Sequence, residues 1–251
     1  MCTLTWFLNS DGYELFFNRD ESIARARAQL PTVQATEQVQ YIAPTDADAG
    51  GTWIAVNQHG IAVCLLNHYQ YQQMASYKKW ISRGEVVRQF AGLSTLAEAR
   101  PRFRKLALQD YRAFRMLIID AGGKNCLCVW DGHQARVEQQ VTPLKSSSAA
   151  DAHRVKRLRR DLFATSGLAQ SQQRDAFLDY HASHVPNKSA HSVCMHRPEA
   201  NTVSLSHLRV TADEVQFRYA DGAPCAAPLG RALSLPRVSP TASPLALVSA
   251  E

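Results

Sequence analysis

The chain has 251 residues, 45% hydrophobic and 20% charged, the balance of a globular protein with one large domain or two small ones. Its net charge of +6 is a mild excess that suits an anionic partner without choosing one. No apolar run approaches the ~20 residues a spanning helix needs, and an N-terminus interrupted by Asp11 and Glu14 lacks the pattern of a secretory signal. The six cysteines, Cys2, Cys64, Cys126, Cys128, Cys194 and Cys225, form neither a paired CxxC zinc spacing nor a CxxCH haem-attachment motif. They read as reduced, mostly buried thiols of a cytoplasmic protein.

The stretch Met1 to Glu21 reads as a β-hairpin, with strands on either side of Ser10-Asp11-Gly12. A hairpin brings its free ends together, so Asn18-Arg19-Asp20-Glu21 should land beside Cys2. Residues Ser22 to Asp48 are polar with little periodicity and read as a long surface loop. Gly50-Gly51 opens a second hairpin, Thr52–Asn57 and Ile61–Asn67, whose second strand is apolar at consecutive positions and should be covered on both faces. His68 to Met74 reads as a loop over a site. A helix over Glu85–Phe90 stops at Gly92. Ser94 can cap a second helix through Leu96, Ala99, Phe103, Leu106 and Ala107, with Pro101 inside the pattern. Phe114–Asp120, Asn125–Trp130 and Gln134–Glu138 read as three antiparallel strands around tight turns.

Ser146-Ser147-Ser148 precedes a basic helix from about Asp151 to Ala164, and a further helix covers about Gln172 to His184. The triple serine reads as a cap and loop, or alternatively as hydroxyls lining the Cys2 cleft. The run Arg154, Lys156, Arg157, Arg159 and Arg160 lacks interleaved aromatics, so a solvated face is expected rather than a nucleic-acid surface. Strands follow at Ser192–His196, Thr202–Ser206 and Glu214–Tyr219. We expect one domain over residues 1–220 and an irregular Pro- and Ala-rich tail over 221–251. Runs of strands alternating with pairs of helices indicate an α+β fold with segregated layers: two antiparallel sheets face to face, helices outside.

Cys2 is either an incidental thiol at a strand start or, once Met1 is removed, a nucleophile whose own α-amine acts as base. A nearby Arg would lower the thiol pKa. The polar cluster is either that activating group or a strand end meeting solvent.

Met-Cys-Thr, Asn18-Arg19-Asp20-Glu21, Gly50-Gly51-Thr52-Trp53-Ile54 with Gly60 and the strand end at Asn67, and Ser192-Val193-Cys194-Met195-His196-Arg197-Pro198 with Thr202-Val203-Ser204 resemble the NRDE family, the transport-and-Golgi-organisation-2 proteins. The resemblance covers about Met1 to Pro224. It implies an N-terminal-nucleophile (Ntn) type αββα sandwich and a cytoplasmic haem-trafficking protein that delivers haem, as cargo, to client haemoproteins. On that reading the ligand-binding residues are Cys2, Asn18, Arg19, Asp20, Glu21, Asn67, His68 and His196, with Cys194 a further axial candidate. Arg19, Arg25 and Arg27 are candidates for the propionates, and no resident metal is expected. The sandwich also resembles the cysteine amidohydrolases of bile-salt and penicillin V amides. As a small-amide hydrolase the chain would use Cys2, Arg19 and Asp20. In those enzymes an Arg and an Asp three residues apart flank the cysteine, whereas here Arg19 and Asp20 are adjacent and should point to opposite faces of the strand.

Overall fold

The computed structural model describes residues 2–69, 79–149 and 151–240. Its first two strands are β1 (Cys2–Asn9) and β2 (Gly12–Ser22), paired antiparallel from Asn9 opposite Gly12 back to Cys2 opposite Arg19. Gly12 is required at the turn, because a Cβ there would lie 2.1 Å from the Val210 carbonyl oxygen. Strand alternation sorts the hairpin's side chains onto two faces. Leu4, Trp6, Tyr13, Leu15 and Phe17 enter the core between the sheets, while Phe7 and Phe16 join the core under the outer helices.

The second sheet is built from β3 (Gln29–Ala35), β4 (Gln40–Thr45), β5 (Ile54–Asn57), β6 (Ala62–Asn67), β7 (Phe114–Ile119), β8 (Asn125–Trp130) and β9 (Ala135–Gln139), in that spatial order. The first sheet is completed by β10 (Lys145–Ser147), β11 (Ala200–Val210), β12 (Glu214–Ala220) and β13 (Leu233–Pro236), in the order β10-β1-β2-β11-β12-β13. On β6, Ala62, Cys64 and Leu66 pack between the sheets, while Val63 and Leu65 pack against α1 (Gly84–Ala91) and α2 (Ala99–Arg104). That two-sided burial accounts for its unbroken apolar sequence. Against the other sheet lie α3 (Ala152–Thr165) and α4 (Arg174–Ala182), through Phe163, Phe177 and Tyr180. The result is a four-layer αββα sandwich.

Two close fits hold α1 in place. Asn57 donates through Nδ2 to the carbonyls of Ala91 and Leu93, capping the end of the helix. At its start, Gly84 lies so close to Gly51 and Thr52 that a Cβ on it would sit 2.8 Å from the Thr52 nitrogen.

The structure corrects several expectations. Residues 22–48 are not a loop but contain β3 and β4, whose largely exposed edge strand carries too little apolar alternation to announce itself. The cap before α2 is Thr95, not Ser94: Thr95 and Glu98 form a capping box on a short 3-10 turn. Ala107 faces solvent. Ser192–His196 is irregular, apart from a bridge between His196 and Asn201. The expected tail contributes β13, which pairs with β12 from Glu214–Pro236 to Phe217–Leu233. The triple serine caps no helix; Ser146 and Ser147 belong to β10. Most of the expected loop from His68 to Met74 lies outside the described residues.

Candidate functional site

Cys2 begins β1 and lines a cleft of 490 Å³ together with Arg19, Asp20, Glu21, Arg25, Trp53, Leu65 and Asn67. Trp80, Ile81, Arg83 and Arg112 also line it. The Cys2 N–H donates to Ser147 Oγ at 3.0 Å, so β10 fixes the position of the strand's first nitrogen. Burial pushes the Cys2 thiol up, and the charges of Asp20 and Glu21 add to the rise, while the Asp20 backbone N–H opposes it.

Arg19 and Glu21 share the cleft-side face, with Arg19 Nη2 3.6 Å from Glu21 Oε2. Arg19 is nevertheless held elsewhere. Its Nη2 donates to Asp46 Oδ2 at 2.7 Å, and its guanidinium lies 4.0 Å over the Trp53 ring. Arg25 makes a forked pair with the same carboxylate, through Nε and Nη2 at 2.9 Å each. Burial pushes the Asp46 carboxyl up, but the Arg25 hydrogen bonds, the Ala49 N–H and the two guanidinium charges bring it below its ordinary value. Two of the three cations expected for propionates are therefore neutralised within the wall. The third, Arg27, pairs with Asp221 at the rim of a neighbouring cavity of 370 Å³. Among the cleft-lining cations, Arg83 and Arg112 carry no ion pair among the described residues.

Asn18 and Asp20 project to the opposite face, as their alternation requires. Asn18 Nδ2 donates to the carbonyls of His181 and Val193, which turns its Oδ1 toward His181 Nδ1 at 3.0 Å. The ring proton therefore sits on Nδ1, and Nε2 accepts from the Thr5 hydroxyl at 2.8 Å. Burial, with the nearby Arg159 charge, drives the His181 pKa down to about 3 and keeps the ring neutral. Asn18 thus fastens α4 to the first sheet and does not line the cleft.

Asp20 receives the Thr202 hydroxyl at 2.6 Å and faces Arg159 Nη2 at 3.6 Å. Burial raises its carboxyl above the ordinary value, and Arg159 and Thr202 offset this only in part. Arg159 is 1% exposed and also donates to Thr3 Oγ1 and the Ser192 carbonyl. It is the functional-layer residue that the solvated-face reading missed. Its only advance signal is the apolar stripe of α3, where Val155, Arg159 and Phe163 follow at helical spacing and are all buried.

The expected histidine ligands lie apart from Cys2. His68 is buried outside the cleft lining, with a pKa lowered to about 4 by burial and by Arg115 and Lys156. His196 borders the neighbouring cavity and packs against His184, Cys194 and Cys225. Asn67 stays in the cleft, with Nδ2 donating to the Tyr69 hydroxyl at 2.7 Å.

Paired sheets between helical layers, with a cysteine at the head of the first strand opening into a cleft, define the Ntn-hydrolase fold. Solved structures agree. A cysteine-to-alanine variant of conjugated bile acid hydrolase from Clostridium perfringens superposes with a TM-score of 0.53 at 10% identity, over 94% of this chain and 92% of that one. Penicillin V acylase from Agrobacterium tumefaciens gives 0.52 at 11% identity, over 92% and 98%. A Caenorhabditis elegans ortholog of N-acylethanolamine-hydrolyzing acid amidase gives 0.58 at 9%, over 83% and 92%. Identities this low establish the fold and leave the reaction open. Comparison with curated protein sequences finds no significant match. Residues 1–216 match Transport and Golgi organisation 2, and the chain belongs to that family.

Proposed function

We propose that the Cys2 cleft binds a flat, anionic ligand without cutting it, and that the ligand is haem, carried as cargo and passed to client haemoproteins. The observation that carries this reading is the pairing of the cleft's charges. Arg19, the group placed to activate the thiol, is committed to Asp46 and stacked on Trp53, while Arg83 and Arg112 line the same cleft and carry no ion pair among the described residues. A cleft with Trp53, Trp80, Leu65 and Ile81 on its walls offers apolar surface to a planar ring and two cations to its acidic edge. Haem titration of the purified protein, followed at the Soret band, tests this; the reading requires a saturable shift at micromolar haem and fails without one.

A second reading, hydrolysis of a small amide, draws on the hydrogen bond from the Cys2 nitrogen to Ser147 Oγ. Removal of Met1 would convert that nitrogen into an anchored α-amine, able to take the thiol proton as Cys2 attacks a carbonyl. Intact mass decides whether the amine exists: retention of Met1 in the purified protein removes this mechanism.

A further inference from the structure

Four potential ligands from three separate stretches converge beside the neighbouring cavity. His184 follows α4, Cys194 and His196 precede β11, and Cys225 follows β12. One ligand atom from each lies within 4.8 Å of all the others. Cys194 Sγ and Cys225 Sγ are each 3.5 Å from His196 Nε2. The His184 and His196 rings are 5.1 Å apart, and His184 Nε2 is buried without a hydrogen-bond partner among the described residues. We propose that these residues form a Cys2His2 site for Zn2+.

The two sulfur–nitrogen distances match the ion. Zn–S bonds of about 2.3 Å and Zn–N bonds of about 2.0–2.1 Å, opened to a tetrahedral angle, hold sulfur and nitrogen about 3.5 Å apart. That separation occurs here twice. Two thiols and two imidazoles also form the soft, nitrogen-and-sulfur donor set that zinc selects over magnesium or calcium. On binding, both thiols ionise, their protons go to solvent, and the two thiolates balance the ion's charge. Four protein ligands leave no open position, so the site is structural rather than hydrolytic.

Its position gives it a task. Met195, between two of the ligands, donates its N–H to Thr202 Oγ1 at 2.8 Å, and the Thr202 hydroxyl donates a hydrogen bond to Asp20 Oδ1 at 2.6 Å. Zinc would clamp the irregular segment before β11 and so hold Thr202 against Asp20, next to the register shift between Thr202 and Ser204. It would also occupy His196 and Cys194, leaving neither for haem.

The test is metal content of the full chain, purified under reductant, incubated with ZnCl2 and freed of excess metal. Elemental analysis should give one zinc per chain. Cobalt substitution should give the thiolate-to-metal charge-transfer band and intense visible bands of a tetrahedral site. Cys225 is exposed, so Cys225→Ser should fold, as circular dichroism would verify, and should lose the charge-transfer intensity of one thiolate and weaken zinc binding at least tenfold; Cys225→Ser/His184→Asn should abolish stoichiometric zinc. Substoichiometric zinc in reduced wild type, an octahedral cobalt spectrum, full zinc retention by the double variant, or a Cys194–Cys225 disulfide persisting under reductant would each overturn the proposal.

Discussion

Replacing Arg159 with methionine removes the cation from the layer between α3 and the outer face of the first sheet. Arg159 is 1% exposed, and its guanidinium serves the Asp20 carboxylate, the Thr3 hydroxyl and the Ser192 carbonyl at once. Removing one partner of a buried ion pair costs about 3–5 kcal/mol, and an orphaned carbonyl about 1–3 kcal/mol. These overlap, so we expect a loss of about 3–5 kcal/mol, read as a lower urea midpoint at unchanged slope. The deficit should shrink with acidity. The Asp20 carboxyl already titrates above its ordinary value, and loss of Arg159 raises it further. The penalty is therefore full at neutral pH and relieved as the carboxyl protonates. Adding Asp20→Asn should recover most of the loss, because Asn keeps an acceptor for Thr202 and carries no charge. A single variant within about 1 kcal/mol of wild type, or two substitutions whose effects simply add, would refute the reasoning.

Three further outcomes follow from the same structure. Burial pushes Glu14 up, but hydrogen bonds from His207 and a forked pair with Arg174 win and hold it at about 2. Its contribution is full above the ordinary carboxylate range and lost as pH falls through it toward 2, so wild type should exceed Glu14→Gln by about 1–3 kcal/mol at pH 7. The gap should narrow below about pH 5 and close only as pH falls through about 2, and a pH-independent gap in urea midpoints would contradict this. Gly84→Ala should destabilise by about 1–3 kcal/mol despite alanine's better helix propensity, because the new Cβ meets the backbone of Thr52 and Gly51; a raised melting temperature would count against that packing. The native Cys2 thiol, pushed up by burial, should alkylate far more slowly at neutral pH than in unfolded protein. Peptide mass mapping would disprove this by finding equal rates.

The layers were legible because burial on two faces leaves a mark: Ile61–Leu66 and Met116–Ile119 are apolar at consecutive positions, and the hairpin's alternation correctly sent Arg19 and Asp20 to opposite faces. β3 was not legible, since an edge strand with mostly exposed side chains needs no apolar pattern. The site was legible only in part. Cys2 opposite Arg19 followed from hairpin geometry, but the partner that occupies Arg19, Asp46, comes from the turn after β4 of the other sheet. Arg159 was hidden by its own neighbours, because a buried arginine inside a basic run differs from them only in phase along the helix. The His184, Cys194, His196 and Cys225 cluster was hidden because its ligands span from residue 184 to residue 225 and only Cys194 and His196 are close in sequence.

The most direct test of the binding account compares haem affinity in wild type with Arg83→Gln/Arg112→Gln, using Soret titration. If these two cations receive the ligand's acidic edge, wild type binds saturably and the double variant at least about tenfold more weakly, the equivalent of about 1.4 kcal/mol. Equal affinities, or no saturable binding by wild type, would contradict it.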